Sequence, residues 1–447
     1  MKELSKPDQV LRKILPVQKL REEANYVLSQ FALSYVYGDR HFLYHTMTRQ
    51  LWELEHPLEQ AIAAVEIAGS PDLTALMEGY FLVPEGKDEC AFYEGTSRML
   101  RIFHKAKGIQ GYTILPTFAC NARCVYCYEE GMKQVTMTPE IAEQTVQYIL
   151  QTKAEGRIEI GWFGGEPLMG ESIIDRICER LQAEGVEYVS SMITNASLLT
   201  DAVADKMAGP WKIRNVQVSM DGAEKDYIAR KQYLRYHDTY QEVLDAIGRL
   251  TARNISVSVR CNADEENLAG IPELLSDLSQ NIADKQKVHV YVAPLNAVRM
   301  GENDLFLWEK AMELEDRIRE AGFRAISYSG GGLKLRIHHC MADKGSVVIA
   351  PDGSLYSCEH CPKEALFGDI FHGVTDEETK ESFCRTDKTR EKCRKCPFLP
   401  DCTSFAACPV YDTHCREKRQ MQFEKNMERI LRATKDVAST EDQLPVC

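Results

Sequence analysis

The sequence predicts an α/β protein: a partial (β/α)6 barrel, preceded by a small winged-helix-like α+β domain and followed by a cysteine-rich domain. Three observations lead there. Between Gly111 and Phe323, short β-branched runs alternate with helix-length segments, the pattern of parallel strands joined by helical crossovers. Residues before about Lys107 hold one cysteine, Cys90, and show hairpin patterning instead. From Cys340 onward cysteines crowd the chain. The expected units are residues 1–107, 108–330 and 331–447, and 447 residues suffice for three cores.

Composition narrows the function classes. Hydrophobic and charged fractions of 44% and 27% are ordinary for a soluble globular chain. A net charge of −13 argues against a nucleic-acid partner, which calls for a basic stripe. No apolar run reaches the roughly 18 residues of a membrane span, and the polar N-terminus lacks a signal-peptide core. A cytoplasmic location with no membrane partner is therefore expected. There, sixteen cysteines point to metal or iron–sulfur ligation over disulfides.

In the first unit, Phe31–Tyr37, Gly38-Asp39 and Arg40–Met47 read as a hairpin with a two-residue turn. Thr48 is placed to cap a helix through Leu51, Trp52 and Leu54, and Pro57-Leu58-Glu59 to begin another. Pro71–Glu78 reads as helical, stopping at Gly79.

In the second unit the expected strands are Gly111–Ala119, Arg157–Phe163, Glu187–Thr194, Asn215–Met220, Ser256–Asn262 and Val288–Leu295. Helices are expected at Pro139–Ala154, Ser172–Glu184, Asp201–Lys206, Arg230–Ala252, Leu268–Ser279 and Leu307–Ala321. In such a barrel, functional loops leave the C-terminal strand ends.

Just past the first strand stands Cys120-Asn121-Ala122-Arg123-Cys124-Val125-Tyr126-Cys127. Three thiols in a CxxxCxxC loop can hold a four-iron cluster with one iron left open to a small molecule. A structural metal site completed by a distant ligand would use the same thiols. After the second strand comes Gly164-Gly165-Glu166-Pro167, where glycines allow close backbone approach and a carboxylate can hold an ammonium. Thr194-Asn195 ends the third strand and Ser219-Met220-Asp221-Gly222 the fourth; Arg260 lies on the fifth.

These motifs resemble those of the radical S-adenosylmethionine (radical SAM) enzymes, whose core is a partial TIM-type barrel. The resemblance implies a [4Fe-4S] cluster on Cys120, Cys124 and Cys127, with S-adenosyl-L-methionine chelated to its open iron. It implies Tyr126 near the adenine, Gly164, Gly165 and Glu166 at the amino group, and Thr194, Asn195, Ser219, Asp221 and Arg260 as further cosubstrate contacts. Plain alternatives are an Asp-Gly turn at Asp221 and a surface ion pair at Arg260.

The third unit begins Cys340-x12-Gly353-x4-Cys358 around a Pro351-Asp352-Gly353 turn, then Cys393-x2-Cys396-x5-Cys402, Cys408 and Cys415. This is similar to the SPASM extension of radical SAM enzymes, except that five residues, where the family usually has three, precede Cys408. The resemblance implies two auxiliary [4Fe-4S] clusters, making three in all. Cys340, Cys358 and Cys408 would hold one; Cys393, Cys396, Cys402 and Cys415 the other. Cys361 is the candidate fourth ligand of the first, the alternative being a site open to a peptide thiolate. Glu359, beside Cys358, is a candidate catalytic base. Cys178 and Cys261 read as buried small hydrophobes, and His338-His339 as solvent-facing.

The first unit resembles the leader-binding RiPP recognition element fused to many peptide-modifying radical enzymes; a plain barrel cap is the alternative. Together these resemblances imply a radical SAM/SPASM enzyme that crosslinks a precursor peptide by a thioether or carbon–carbon bond, with a reductant such as flavodoxin or ferredoxin. A sulfatase-maturating enzyme is the second reading. A non-catalytic iron–sulfur electron carrier is the third, and it has no need for a cosubstrate pocket.

Overall fold

The computed structural model describes residues 2–5, 9–16, 18, 25–56, 71–104, 107–235, 239–295, 304–325, 345–382, 391–401 and 415–437. Its first unit comprises β1 (Lys2–Ser5), α1 (Gln9–Ile14), β2 (Tyr26–Leu28), β3 (Ala32–Tyr37), β4 (Arg40–His45), β5 (Leu51–Leu54), α2 (Pro71–Glu78), β6 (Leu82–Pro84) and α3 (Glu89–His104). The hairpin is β3–β4, with Tyr37 opposite Arg40 across Gly38-Asp39. Gly38 takes φ 64°, the left-handed conformation that such a tight turn requires. The sheet is antiparallel in the order β1-β5-β4-β3.

The helix expected after Thr48 does not form: Leu51–Leu54 is strand β5. Leu51 and Leu54, three apart, share one face of a helix but lie on opposite faces of a strand. Both faces of β5 are covered, Leu51 packing with Phe42 and Tyr44, and Leu54 with Leu43. Pairing with β4 therefore satisfies the same spacing. The helix expected from Pro57 lies outside the described residues.

The large sheet contains β7 (Gly111–Ile114), β8 (Ile158–Trp162), β9 (Tyr188–Thr194), β10 (Ile213–Ser219), β11 (Ser256–Ala263), β12 (Val288–Pro294), β13 (Arg324–Ala325), β14 (Ser346–Ile349), β15 (Ser354–Tyr356), β16 (Leu366–Asp369) and β17 (Gly373–Val374). Its order is β13-β12-β11-β10-β9-β8-β7-β14-β15-β16-β17. Strands from β13 to β14 run parallel and the rest antiparallel. All six expected strands are present, and the expected hairpin around Gly353 extends the same sheet beyond β7.

The crossovers are α4 (Pro139–Thr152), α5 (Glu171–Ala183), α6 (Asp201–Ala208), α7 (Glu224–Lys231), α8 (Thr239–Ala252), α9 (Ile271–Asn281) and α10 (Asp304–Glu320). The single helix expected over Arg230–Ala252 is two. Gln232 turns left-handed at φ 49° and ends α7, because Tyr233 leaves the helix to pair with Ala122. Ile158, Ile160 and Trp162 on β8, like Val216 and Val218 on β10, are at most 1% exposed within the helix-packed core. The alternate face carries Gln217 and Ser219 on β10 and Ser258, Arg260 and Asn262 on β11, so the polar side chains gather there.

Past α11 (Glu377–Ser382), α12 (Cys415–Val437) lays Phe423, Met427 and Leu431 against Phe42, Tyr44 and Leu51 of the first unit. Arg49, almost fully buried, pairs with Asp401 at 2.6 Å. Among the described residues no helix is long and apolar enough to cross a membrane.

Candidate active site

The cysteine loop leaves β7 and is held by the end of α7. The Arg123 N–H donates to the carbonyls of Lys231 (3.0 Å) and Gln232 (3.1 Å), and the Val125 N–H to Arg230 (3.0 Å). The Leu234 N–H donates back to Asn121 at 2.9 Å, so residues 121–125 and 230–234 form a short antiparallel ribbon. Cys120, Cys124 and Cys127 are half-buried. Burial pushes the Cys120 thiol up to about 12, with Glu166, Cys124 and Cys127 adding to it.

The Gly-Gly-Glu turn packs directly on this loop. A Cβ on Gly165 would overlap the carbonyl oxygen of Ala119 and reach that of Phe118 at 2.6 Å; Gly164 sits at φ 111°. Glu166 is wholly buried. It accepts hydrogen bonds from Thr194 Oγ1 (2.6 Å), the Asn195 N–H (2.8 Å) and the Leu168 N–H (3.1 Å). Burial raises its carboxyl pKa, and these bonds oppose the rise. Asn195 Nδ2 reaches Asn121 Oδ1 at 2.8 Å. The structure thus brings Cys120, Gly164, Gly165, Glu166, Thr194 and Asn195 together.

Ser219, Asp221 and Tyr126 converge on a residue that sequence reasoning passed over. Lys231 is 1% exposed, its Nζ lying 2.7 Å from Tyr126 Oη, 2.8 Å from Ser219 Oγ and 3.2 Å from Asp221 Oδ2. Asp221 is fully buried and accepts from Tyr126 Oη–H and from the Asn262 N–H and Nδ2. Asp221 is thereby spent on holding the strand ends and Tyr126. Lys231 falls at the start of the helix expected over Arg230–Ala252, where a charge reads as solvated, so it gave no signal. Asn262, two residues beyond Arg260, gave one only through strand alternation.

Arg260 Nε donates to Asn262 Oδ1 at 2.9 Å. Glu359 lies near it: burial raises its carboxyl pKa and Arg260 opposes this. Tyr128 joins the cysteine loop to the hairpin exit, its ring 4.2 Å from that of His360. Beside it burial pushes Glu129 up to about 7. Cys361 is left-handed at φ 45°, and its N–H donates to the Cys358 carbonyl at 3.0 Å, so the two thiols leave one turn. Burial pushes the Cys361 thiol up to about 12.

Cys393 and Cys396 share another turn, where Gln30 Nε2 donates to the Arg394 carbonyl at 3.0 Å; Cys415 opens α12. Cys178 and Cys261 are completely buried, as their sequence context predicts. Cys340, Cys402, Cys408, His338 and His339 lie outside the described residues.

Among the described residues no three Cys, His, Asp or Glu side chains meet at the spacing of a single metal ion. A cluster of several irons holds its thiolates farther apart. Cys120, Cys124 and Cys127, neighbouring and half-buried on one loop, fit that donor set.

Residues 114–278 match the Radical SAM superfamily. The radical SAM cyclopropyl synthase TigE of Paramaledivibacter caminithermalis is 23% identical over 367 residues, 73% of this chain and 74% of that one. The serine-type anaerobic sulfatase-maturating enzyme of Klebsiella aerogenes is 23% identical over 322 residues, 66% of this chain and 78% of that one. Against the curated relatives the chain spans 59% of the length of an archaeal one and 74% and 78% of these two. Among solved structures, anSMEcpe with bound AdoMet superposes with a TM-score of 0.59 at 17% identity, covering 73% of this chain and 99% of that one. SuiB of Streptococcus suis bound to precursor peptide SuiA gives 0.52 at 13% identity, covering 86% and 96%. At these identities the structural likeness is one of fold.

Proposed function

Taking as premise that the chain carries a radical SAM domain over residues 114–278, we propose that it modifies a ribosomally made precursor peptide, installing a thioether or carbon–carbon crosslink. The observation that carries the reading is the packing of the CxxxCxxC loop onto Glu166, Thr194 and Asn195 at neighbouring strand ends. An electron carrier has no use for such a pocket. The resemblance of SuiB, a fold neighbour whose structure holds a precursor peptide, supports a peptide substrate.

Cys120, Cys124 and Cys127 would hold the cluster that, with S-adenosyl-L-methionine, supplies a 5′-deoxyadenosyl radical able to take hydrogen from the substrate. Glu166 already accepts three hydrogen bonds, which leaves about one of its four lone-pair sites for the cosubstrate ammonium. Gly164 and Gly165 let the backbone come close, and Tyr126, fixed by Lys231 and Asp221, offers a ring to the adenine. Arg260 is available for a carboxylate. Cys358 and Cys361, with Cys340 and Cys408, would hold one auxiliary cluster, and Cys393, Cys396, Cys402 and Cys415 the other. Residues 1–107 would bind the leader of the peptide, and flavodoxin or ferredoxin would supply the reducing electron.

A second reading, sulfatase maturation, is favoured by one feature: Glu359 is half-buried beside Cys358, where a carboxylate can deprotonate a substrate. The Klebsiella relative carries that activity in its name.

Anaerobically reconstituted protein should hold about twelve irons, judged from three four-iron ligand sets. Joint alanine substitution of Cys120, Cys124 and Cys127 should remove about a third of the iron and abolish 5′-deoxyadenosine formation under dithionite. Cleavage of S-adenosyl-L-methionine by that variant would refute the assignment.

A further inference from the structure

From Glu391 to Asp401 the chain winds through two short 3-10 turns, Glu391–Cys393 and Leu399–Asp401. Its own backbone bonds are local: the Cys396 N–H donates to the Cys393 carbonyl at 3.0 Å, and the Asp401 N–H to that of Phe398 at 2.9 Å. Turns this short do not hold their shape alone. The contacts that do so come from the first unit, at the far end of the sequence.

Gln30 Nε2 donates to the Arg394 carbonyl at 3.0 Å and Thr46 Oγ1 to the Pro397 carbonyl at 2.6 Å, across 364 and 351 positions of chain. Arg49 Nη2 pairs with Asp401 at 2.6 Å, while its Nη1 donates to Tyr44 Oη at 3.0 Å. Arg394 pairs with Asp88 at 2.8 Å near the surface, where an ion pair is worth little. Thr46 and Arg49 carry more weight, being 0% and 3% exposed, because a buried partner is costly to orphan. Arg49 also takes φ 66°, a conformation that favours glycine and persists where the surroundings over-determine it.

Apolar packing fixes the same stretch. Phe398 joins Phe42, Tyr44 and Leu51, and Cys396 packs on that cluster. Leu399 joins Phe31, Met47, Cys90 and Tyr93, and Cys393 packs on that one. Two adjacent side chains thus enter two separate clusters that the first unit helps to build, which sets the rotation of the turn as well as its place.

We propose that the first unit holds in shape the auxiliary site of Cys393, Cys396, Cys402 and Cys415, with Arg49 as a positioning residue acting through Asp401. This rests on the radical SAM/SPASM reading above. The described thiols fit such a group. Cys393 and Cys396 are half-buried on one turn, and half-buried Cys415 opens α12, whose Phe423 ring lies 6.3 Å from that of Phe398. Asp401 adjoins Cys402 in the chain, so the residue that Arg49 grips stands beside a further candidate ligand. The unit assigned to the leader then has a second task that needs no peptide.

The test uses the full-length chain. Arg49→Met removes the cation and keeps much of the bulk. Leu54→Ala is the control, since it weakens the first unit in the separate cluster of Leu43, Leu76 and Phe81. In iron-free protein, timed alkylation read by peptide mass mapping should find Cys393 and Cys396 about tenfold more reactive in Arg49→Met, with Cys120, Cys124 and Cys127 unchanged. After anaerobic reconstitution the variant should hold about four fewer irons than the parent, one cluster's worth, and still cleave S-adenosyl-L-methionine under dithionite. Arg49→Lys, which keeps a cation facing Asp401, should recover most of the iron and of the protection. If Arg49→Met does not fold, Thr46→Val and Asp401→Asn each delete one of the contacts and are read in the same way. Parent-like alkylation and iron content overturn the proposal, as does an equal effect of Leu54→Ala. A parent that takes up no iron would instead sink the radical SAM reading, while alkylation of the iron-free protein still decides what holds the turn.

Discussion

Replacing Lys231 by methionine removes a buried cation from the network that ties Tyr126 to the strand ends. The parent ammonium is almost completely buried and bridges Tyr126 Oη, Ser219 Oγ and Asp221 Oδ2 at 2.7, 2.8 and 3.2 Å. Methionine fills most of the volume, so the cost is electrostatic: Asp221, fully buried, is left without its lysine partner. Breaking a buried pair from one side costs about 3–5 kcal/mol. The Asn262 donors to Asp221 soften this, so about 3 kcal/mol is expected. Urea unfolding followed by the fluorescence of Trp162 and Trp211, both 0% exposed, reads it directly. Adding Asp221→Asn removes the orphaned charge and should restore much of the loss. The pH dependence has a definite sign. Burial works against the Lys231 charge, but Asp221 and Tyr126 outweigh it and hold the pKa well above the ordinary 10.5. Its stabilisation is therefore complete below pH 10.5 and is lost only as pH rises through the higher folded value. A Lys231→Met protein within about 1 kcal/mol of the parent at neutral pH would refute the reasoning.

Gly165→Ala places a Cβ against the carbonyls of Ala119 and Phe118, so the cysteine loop must shift; destabilisation of about 2–4 kcal/mol and weaker iron retention under chelation are expected. His45, buried between Phe31 and Phe81, has its pKa lowered to about 3, chiefly by burial. It folds neutral, so stability falls as pH drops from 6.5 toward 3, by up to about 1.4 kcal/mol per unit. His45→Gln should flatten that slope in acid titrations of unfolding. Cys361→Ala should lower iron content or alter the spectrum of one auxiliary cluster; full iron and unchanged spectra would point to a site left open for a peptide thiolate.

The fold class was legible because parallel strands and amphipathic crossovers carry different periods, and each of the six expected strands lies where its β-branched run stands. The motifs were legible because chemistry fixes them locally: thiol spacing on one loop, and two glycines where no Cβ fits. What sequence alone could not supply was anything settled between distant segments. Leu51 and Leu54 have a spacing that serves a helix as well as a doubly covered strand, and only the pairing of β5 with β4 decides between them. Gln232 lies within a run that reads as continuous helix, yet α7 ends there because Tyr233 finds a partner 111 positions earlier in Ala122. Lys231 looks like any solvated helix-end charge until the strand ends close over it, 105 positions from Tyr126 along the chain. Local patterns record which conformations a segment tolerates. Which of them is adopted, and which charge becomes buried, depends on contacts that form only once the sheet has assembled.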